Sequence, residues 1–175
     1  ARAHARAVDN AIINGSGSIT GLDGYAAASG SSIDLDGASI ASGNSATLTA
    51  AGLLTARKAM GKYGVNPADV AYIVSQARYF ELIEDAGFQD VTDVGSDMAT
   101  KITGQIGSVF GSPVIVSDSF ATEGAGVPVA FAVNSRNYVI PRLRGVTVET
   151  DYEVGNQRNV VVASQALGFE ELVAG

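Results

Sequence analysis

From Gly15 to Ala46 the chain is dominated by Gly, Ser and Ala: Gly15-Ser16-Gly17-Ser18, then Gly21-Leu22, then Ser29-Gly30-Ser31-Ser32. Ordering such a stretch costs backbone entropy, and it holds few large side chains to offset that cost. The bias runs through all 175 residues, of which 21 are Gly, with Ala more frequent still and no Trp. Small side chains make thin, closely spaced backbone layers, not deep aromatic pockets. Apolar residues still make up 46 % and charged ones only 17 %, so a core can form and general disorder is excluded. The length fits one ordinary domain.

Several chemistries are excluded at once. With no Cys there are no disulfides and no thiolate metal sites. His4, the single histidine, rules out a histidine-clustered metal centre and argues against a Ser-His-Asp mechanism. The longest apolar runs are about four to five residues, far short of a membrane-spanning helix. A net charge of −7 argues against a protein that grips phosphate backbones. The opening Ala-Arg-Ala-His-Ala-Arg-Ala lacks Met and enters helix-like sequence directly, which reads as a fragment or a processed product.

Residues 1–13 read as the tail of a helix, stopped by Asn14-Gly15, which tolerate the left-handed backbone past a helix end. Residues 15–46 read as a loop, with a short alternating strand and turn at Ile33-Asp34-Leu35-Asp36-Gly37. Thr47 or Thr49 caps a helix to about Lys62, with Leu53, Ala56, Met60 and Tyr63 on one face and Gly61 and Gly64 closing it. Asn66-Pro67 is a turn, and Val70–Val74 a buried strand. Ser75 begins a second helix to about Asp85, presenting Tyr79, Phe80 and Ile83 inward, and Gly87 ends it.

Beyond it Val91–Ser108 is turn-rich. Strands are expected at Val114–Val116, Val127–Val133, Tyr138–Ile140, Val146–Thr150 and Val160–Ala166, with turns at Glu123-Gly124, Asn134-Ser135 and Gly155-Asn156. The order predicts an α+β fold with mixed pairing, not regular βαβ alternation.

No cofactor or metal is expected. Asp34-x-Asp36-Gly37 begins like a calcium loop but lacks the later oxygen ligands and the terminal Glu. Gly15-Ser16-Gly17-Ser18 is not a phosphate cradle, because no Gly-Lys-Ser/Thr follows and a helix precedes it. Glu81, Glu84 and Asp85 read as a solvated helix face, and His4 as a solvated side chain. Tyr79 and Phe80 read as core packing. No nucleophile has a general base visible beside it, so no enzyme is expected.

Three further pieces come in a telling order. Asp9-Asn10-Ala11-Ile12-Ile13-Asn14-Gly15-Ser16-Gly17 is followed by Gly21-Leu22. Ala71-Tyr72-Ile73-Val74 leads to Arg78-Tyr79-Phe80-Glu81-Leu82. Phe110-Gly111-Ser112-Pro113-Val114-Ile115-Val116 then precedes Val146–Thr150 and a strand ending at Gly168-Phe169.

In this order the chain resembles the C-terminal two-thirds of a tailed-bacteriophage major capsid protein of the Hong Kong 97 type. The resemblance implies a flat plate with peripheral and axial domains, mixed or antiparallel sheets and flanking helices. Residues 1–46 would be the end of the spine helix and the glycine-rich loop of the peripheral domain. Residues 47–141 would be the axial domain with its leading helix, and 142–175 the return strands of the peripheral domain. The family's N-terminal arm and extended hairpin are missing. Asn156 and Asn159 lie roughly where some relatives form a Lys–Asn isopeptide bond, but the partner lysine would sit in that missing hairpin.

A shell subunit needs broad surfaces that meet copies of itself, since symmetry repeats each modest contact many times. The resemblance therefore implies pentamers and hexamers of this chain, scaffold and portal proteins as further partners, and DNA enclosed without sequence-specific binding. It places the protein in the virion, assembled in the host cytoplasm, with no membrane. An acidic subunit suits such a container, because it does not adhere to the packaged polyanion. Gly15, Gly17 and Gly21, with Arg142 and Arg144 on one side of a strand, are the candidate inter-subunit contacts. Phe110, Gly111 and Pro113 mark the fold motif. Residues 15–46 are expected to order against adjacent copies. The alternatives are a bacterial nanocompartment (encapsulin-like) shell protein and a small binding module or hydrolase.

Overall fold

The computed structural model describes residues 2–29, 47–85, 107–121 and 128–172. Helix α1 (Arg2–Asn14) ends where Asn14-Gly15 predicts. Gly15 takes φ +80° and its N–H donates to Ala11 O at 3.0 Å, a left-handed stop for which glycine is suited. Residues 22–29 are not loop but helix α2 (Leu22–Ser29). The signal lies in the sequence, since Asp23 sits in the first turn, where it complements the helix dipole, and three alanines follow Tyr25. Leu22 is buried and Tyr25 sets its ring edge-on to Phe169, so α2 docks on its own chain. The expected strand at 33–37, the punctuation at Gly87 and across 91–106, and the Glu123-Gly124 turn lie outside the described residues.

The centre is a sheet of four strands: β1 (Val70–Ser75), β2 (Ser108–Val109), β3 (Ser112–Ser117) and β4 (Ala130–Asn134). Their spatial order is β2-β3-β1-β4. β1 runs parallel to β3, with Tyr72 beside Val114, and antiparallel to β4, with Tyr72 beside Ala132. The pairing is thus mixed, as the sequence implies.

Side chains alternate across a strand. Val70, Tyr72 and Val74 therefore enter one core with Leu48, Leu53, Leu82, Val109 and Val129. Ile73 and Phe131 enter the other, with Ile13, Leu22 and Phe169. Helices α3 (Ala50–Ala59) and α4 (Gln76–Glu84) cover the first face, α1 and α2 the second. Each fully buried aliphatic side chain contributes roughly 1.5–3 kcal/mol, so the sheet is held from both sides. Phe120 stacks on Phe131 at 5.5 Å, and Tyr138 on Phe169 at 5.1 Å.

Two helix faces differ from expectation. α3 stops before Met60, and Gly61 at φ +55° turns the chain into a 3-10 turn over Gly61–Gly64. Tyr63 consequently leaves the core face and is 45 % exposed. On α4 the buried residues are Arg78 and Leu82, one turn apart, with Tyr79 and Ile83 packed beside them. Phe80 points outward and is 56 % exposed.

Short strands β5 (Tyr138–Val139) and β8 (Glu170–Glu171) pair with each other. Between them β6 (Arg142–Glu153) and β7 (Arg158–Leu167) form a two-stranded antiparallel ribbon longer than the expected strands. Its turn spans 154–157 and contains the expected Gly155-Asn156.

Candidate functional site

The glycine turn is the first candidate surface. Ser16 and Ile19 exchange backbone hydrogen bonds at 3.0 and 3.1 Å, closing a tight turn over Gly17-Ser18. A Cβ on Gly21 would stand 2.2 Å from Gly15 N and 2.7 Å from Ile13 O. A Cβ on Gly15 would stand 2.9 Å from Ile19 O. Both glycines are thus already required by a close approach within the chain. Gly17, at φ +59°, has open space around it and faces solvent.

Phe110 and Gly111 form the two-residue link between β2 and β3. Both have positive φ, +49° and +78°, which a type I′ hairpin turn requires. A bulky residue in that region is uncommon, and a clamp holds it here. Arg57 donates from Nη1 to Phe110 O at 3.1 Å, from Nη2 to Val65 O at 2.8 Å, and from Nε to Gly64 O at 2.5 Å. One guanidinium so ties α3, the 3-10 turn and the β2–β3 hairpin together. A Cβ on Gly111 would meet Pro67 at 3.3 Å, and Pro113 pairs with Ser108.

The acidic face expected to be solvated is partly structural. Glu81 Oε2 accepts from Leu48 N at 2.8 Å, and Asp85 Oδ2 from Ala50 N at 2.6 Å. Thr49 Oγ1 accepts from Gly52 N at 3.1 Å. The start of α3 leaves unpaired N–H groups and a positive dipole end; Asp85, the C-cap of α4, satisfies that of Ala50, and Glu81 of α4 holds Leu48 just before the cap. Arg78 pairs with the other oxygen of Glu81 at 2.7 Å. His4 is not simply solvated either: its Nε2 lies 2.6 Å from Gln165 Oε1, joining α1 to β7.

The ribbon carries Arg142 and Arg144. The pairing register shifts between them, so they do not follow the simple alternation expected. Arg144 Nη2 donates to Ser164 Oγ at 2.9 Å, and Arg142 is exposed. From Thr147 onward the register is regular and cross-strand partners share a face. One face holds Val148, Thr150 and Tyr152 opposite Ala163, Val161 and Asn159. The other holds Glu149, Asp151 and Glu153 opposite Val162, Val160 and Arg158. Every β6 residue from Arg142 to Tyr152 is exposed.

An open groove of about 300 Å³ lies at the far end of the central sheet, lined by Lys62, Tyr63, Asn66, Asp69 and Arg136 among others. Arg136 Nε pairs with Asp69 at 2.9 Å. Lys62 places its ammonium 4.9 Å from the Tyr63 ring centroid.

Two phenols titrate abnormally. Burial pushes Tyr72 above the usual tyrosine range, opposed by the nearby Arg57 charge and by the polar groups of Arg57 and Ser112, none of which reaches its hydroxyl in good hydrogen-bond geometry. Burial also raises Tyr138, aided by Glu171 and Tyr25. Among the described residues no group of three or more His, Cys, Asp or Glu is placed to hold a metal, and no helix is long and apolar enough to cross a membrane. Among the described residues the geometry offers surfaces and no assembled nucleophile with its base.

No protein-family model matches the chain. Over 118 residues, 67 % of its length, the chain is 36 % identical to the major capsid protein of Escherichia phage T5. It spans about a quarter of that relative, 26 % of its length. Among solved structures, the asymmetric unit of the bacteriophage PhiM1 mature capsid overlays 66 % of this chain and 38 % of its own, at TM-score 0.43 and 11 % identity.

Proposed function

We propose, from the premise that this chain is related to a phage major capsid protein over two-thirds of its length, that it is a structural part of a phage head. It acts by association with copies of itself and performs no reaction. The observation that carries this reading is the 36 % identity sustained over 118 residues. The open ribbon and the clamped hairpin agree with it, since both present ordered surface without a reacting centre.

In finer detail, the proposal is a Hong Kong 97-type subunit. Residues 1–46 and 142–175 form its peripheral domain and 47–141 its axial domain. Arg142, Arg144, Gly15, Gly17 and Gly21 lie at its inter-subunit contacts. Pentamers and hexamers assemble in the host cytoplasm with scaffold and portal proteins, and the finished virion shell encloses DNA without sequence-specific contacts. The net charge of −7 supports a wall that does not adhere to the genome.

Light scattering and electron microscopy of a protein containing this chain at its natural length test the proposal. Rings or closed shells with five- and six-fold units are the expected outcome. A species that stays monomeric under assembly conditions overturns it. Shells that enclose an enzyme in place of DNA point to a nanocompartment.

A further inference from the structure

We infer that the distal end of the β6–β7 ribbon docks in the Lys62–Arg136 groove of a second copy of this chain, an inference that rests on self-association as the function. The ribbon has the form of an arm. Its 12-residue strand is roughly 40 Å long at strand rise, and among the described residues it pairs with β7 alone. A two-stranded ribbon of this kind is marginal in water unless something covers it. At its end Tyr152 is 54 % and Val154 is 74 % exposed.

Charge is concentrated there too. Glu153 is met by Arg158 at 2.6 Å, and Asp151 Oδ1 accepts its neighbour's N–H, from Tyr152, at 2.8 Å. Glu149 and Asp151 are left without a cation among the described residues. The arm end is therefore both apolar and acidic.

The groove is its complement. Lys62 has no acid partner among the described residues, and Arg136, 77 % exposed, shares its charge with Asp69 alone. Beside them stands the Tyr63 ring, and Val65, 74 % exposed, directly precedes the lining residue Asn66 at the groove's edge in the chain. In a chain of net charge −7, copies repel unless a local positive patch meets a local negative one. Inserted end-on, the arm presents both faces to the open groove: Asp151 on one meets Lys62 and Arg136, and Tyr152 on the other, with Val154 in the turn, meets Tyr63 and Val65. The two surfaces differ, so the contact is head-to-tail and closes into a ring when the rotation allows.

The absence of Cys makes the test clean. Full chain carrying Val65→Cys is mixed with full chain carrying Val154→Cys, and oxidative cross-linking is read beside light scattering. Both sites are exposed, and each variant's melting temperature is compared with the parent. The expected result is a mixed 65–154 dimer in excess of either homodimer. Lys62→Glu on the first copy should lower its yield about tenfold, and Asp151→Lys on the second should restore it. Association without that excess, or a charge swap that restores nothing, overturns the docking and leaves self-association standing. A chain that stays monomeric at every concentration overturns both.

Discussion

At Gly21 a single added carbon would have to occupy space 2.2 Å from Gly15 N, which is backbone and cannot step aside. Gly21→Ala is therefore expected to destabilise by roughly 2–4 kcal/mol, read from the urea midpoint. Gly17→Ala meets no neighbour and pays only for its left-handed backbone, about 1 kcal/mol. Equal losses at the two sites would refute the internal close approach. Tyr72→Phe removes a buried hydroxyl that has no hydrogen bond, so stability should hold or rise by up to about 1 kcal/mol. The Asn14-Gly15 stop was legible because helix termination is local chemistry. The contact of Gly15 with Gly21 was not, because it depends on how the turn folds back.

The clearest lesson among the elements comes from α3. A cap at Thr47 or Thr49 was readable from the residues just before an apolar run, and the fold chose Thr49. The carboxylate of Asp85 reaches Ala50 N from 35 positions away, and no local pattern announces that. Asp85→Ala should cost about 1–2 kcal/mol and Asp85→Asn less, measured by chemical denaturation, because the amide keeps an acceptor but loses the charge facing the dipole. If neither variant moves the midpoint, the cap is not stabilising. Strands β1 and β3 and helix α4 announced themselves by periodicity, though the side on which Phe80 lay did not. α2 was hidden by the Gly/Ser-rich composition around it, even though Leu22, Asp23 and the alanines supplied its signal. The ribbon's alternation was visible, but its full length was not, since polar and charged residues extend it past the apolar runs.

For the molecule as a whole, one buried and one half-buried phenol link stability to alkaline pH. Both Tyr72 and Tyr138 have folded values raised above the ordinary tyrosine range. The unfolded phenol ionises first, near pH 10, so the unfolded state gains as pH climbs. The contribution is complete below that pH and is lost as pH rises through the folded values. Melting temperatures followed from neutral pH into that range should fall, and the Tyr72→Phe/Tyr138→Phe pair should flatten the decline. An unchanged slope in the pair would assign the loss to other groups.

Read as a string, the residues settle the fold class, the strand alternation that feeds two cores, the glycine stops and the lack of thiol or histidine-cluster chemistry. Each of these follows from short-range sterics or from composition. The three-dimensional arrangement alone settles which groups meet across distance: Arg57 on Phe110, 53 positions on, the acids of α4 and its C-cap on the start of α3, and a ribbon whose β6 strand is exposed from Arg142 to Tyr152. Such meetings depend on the packing of whole elements, and interactions between residues far apart in sequence leave no periodic trace along it.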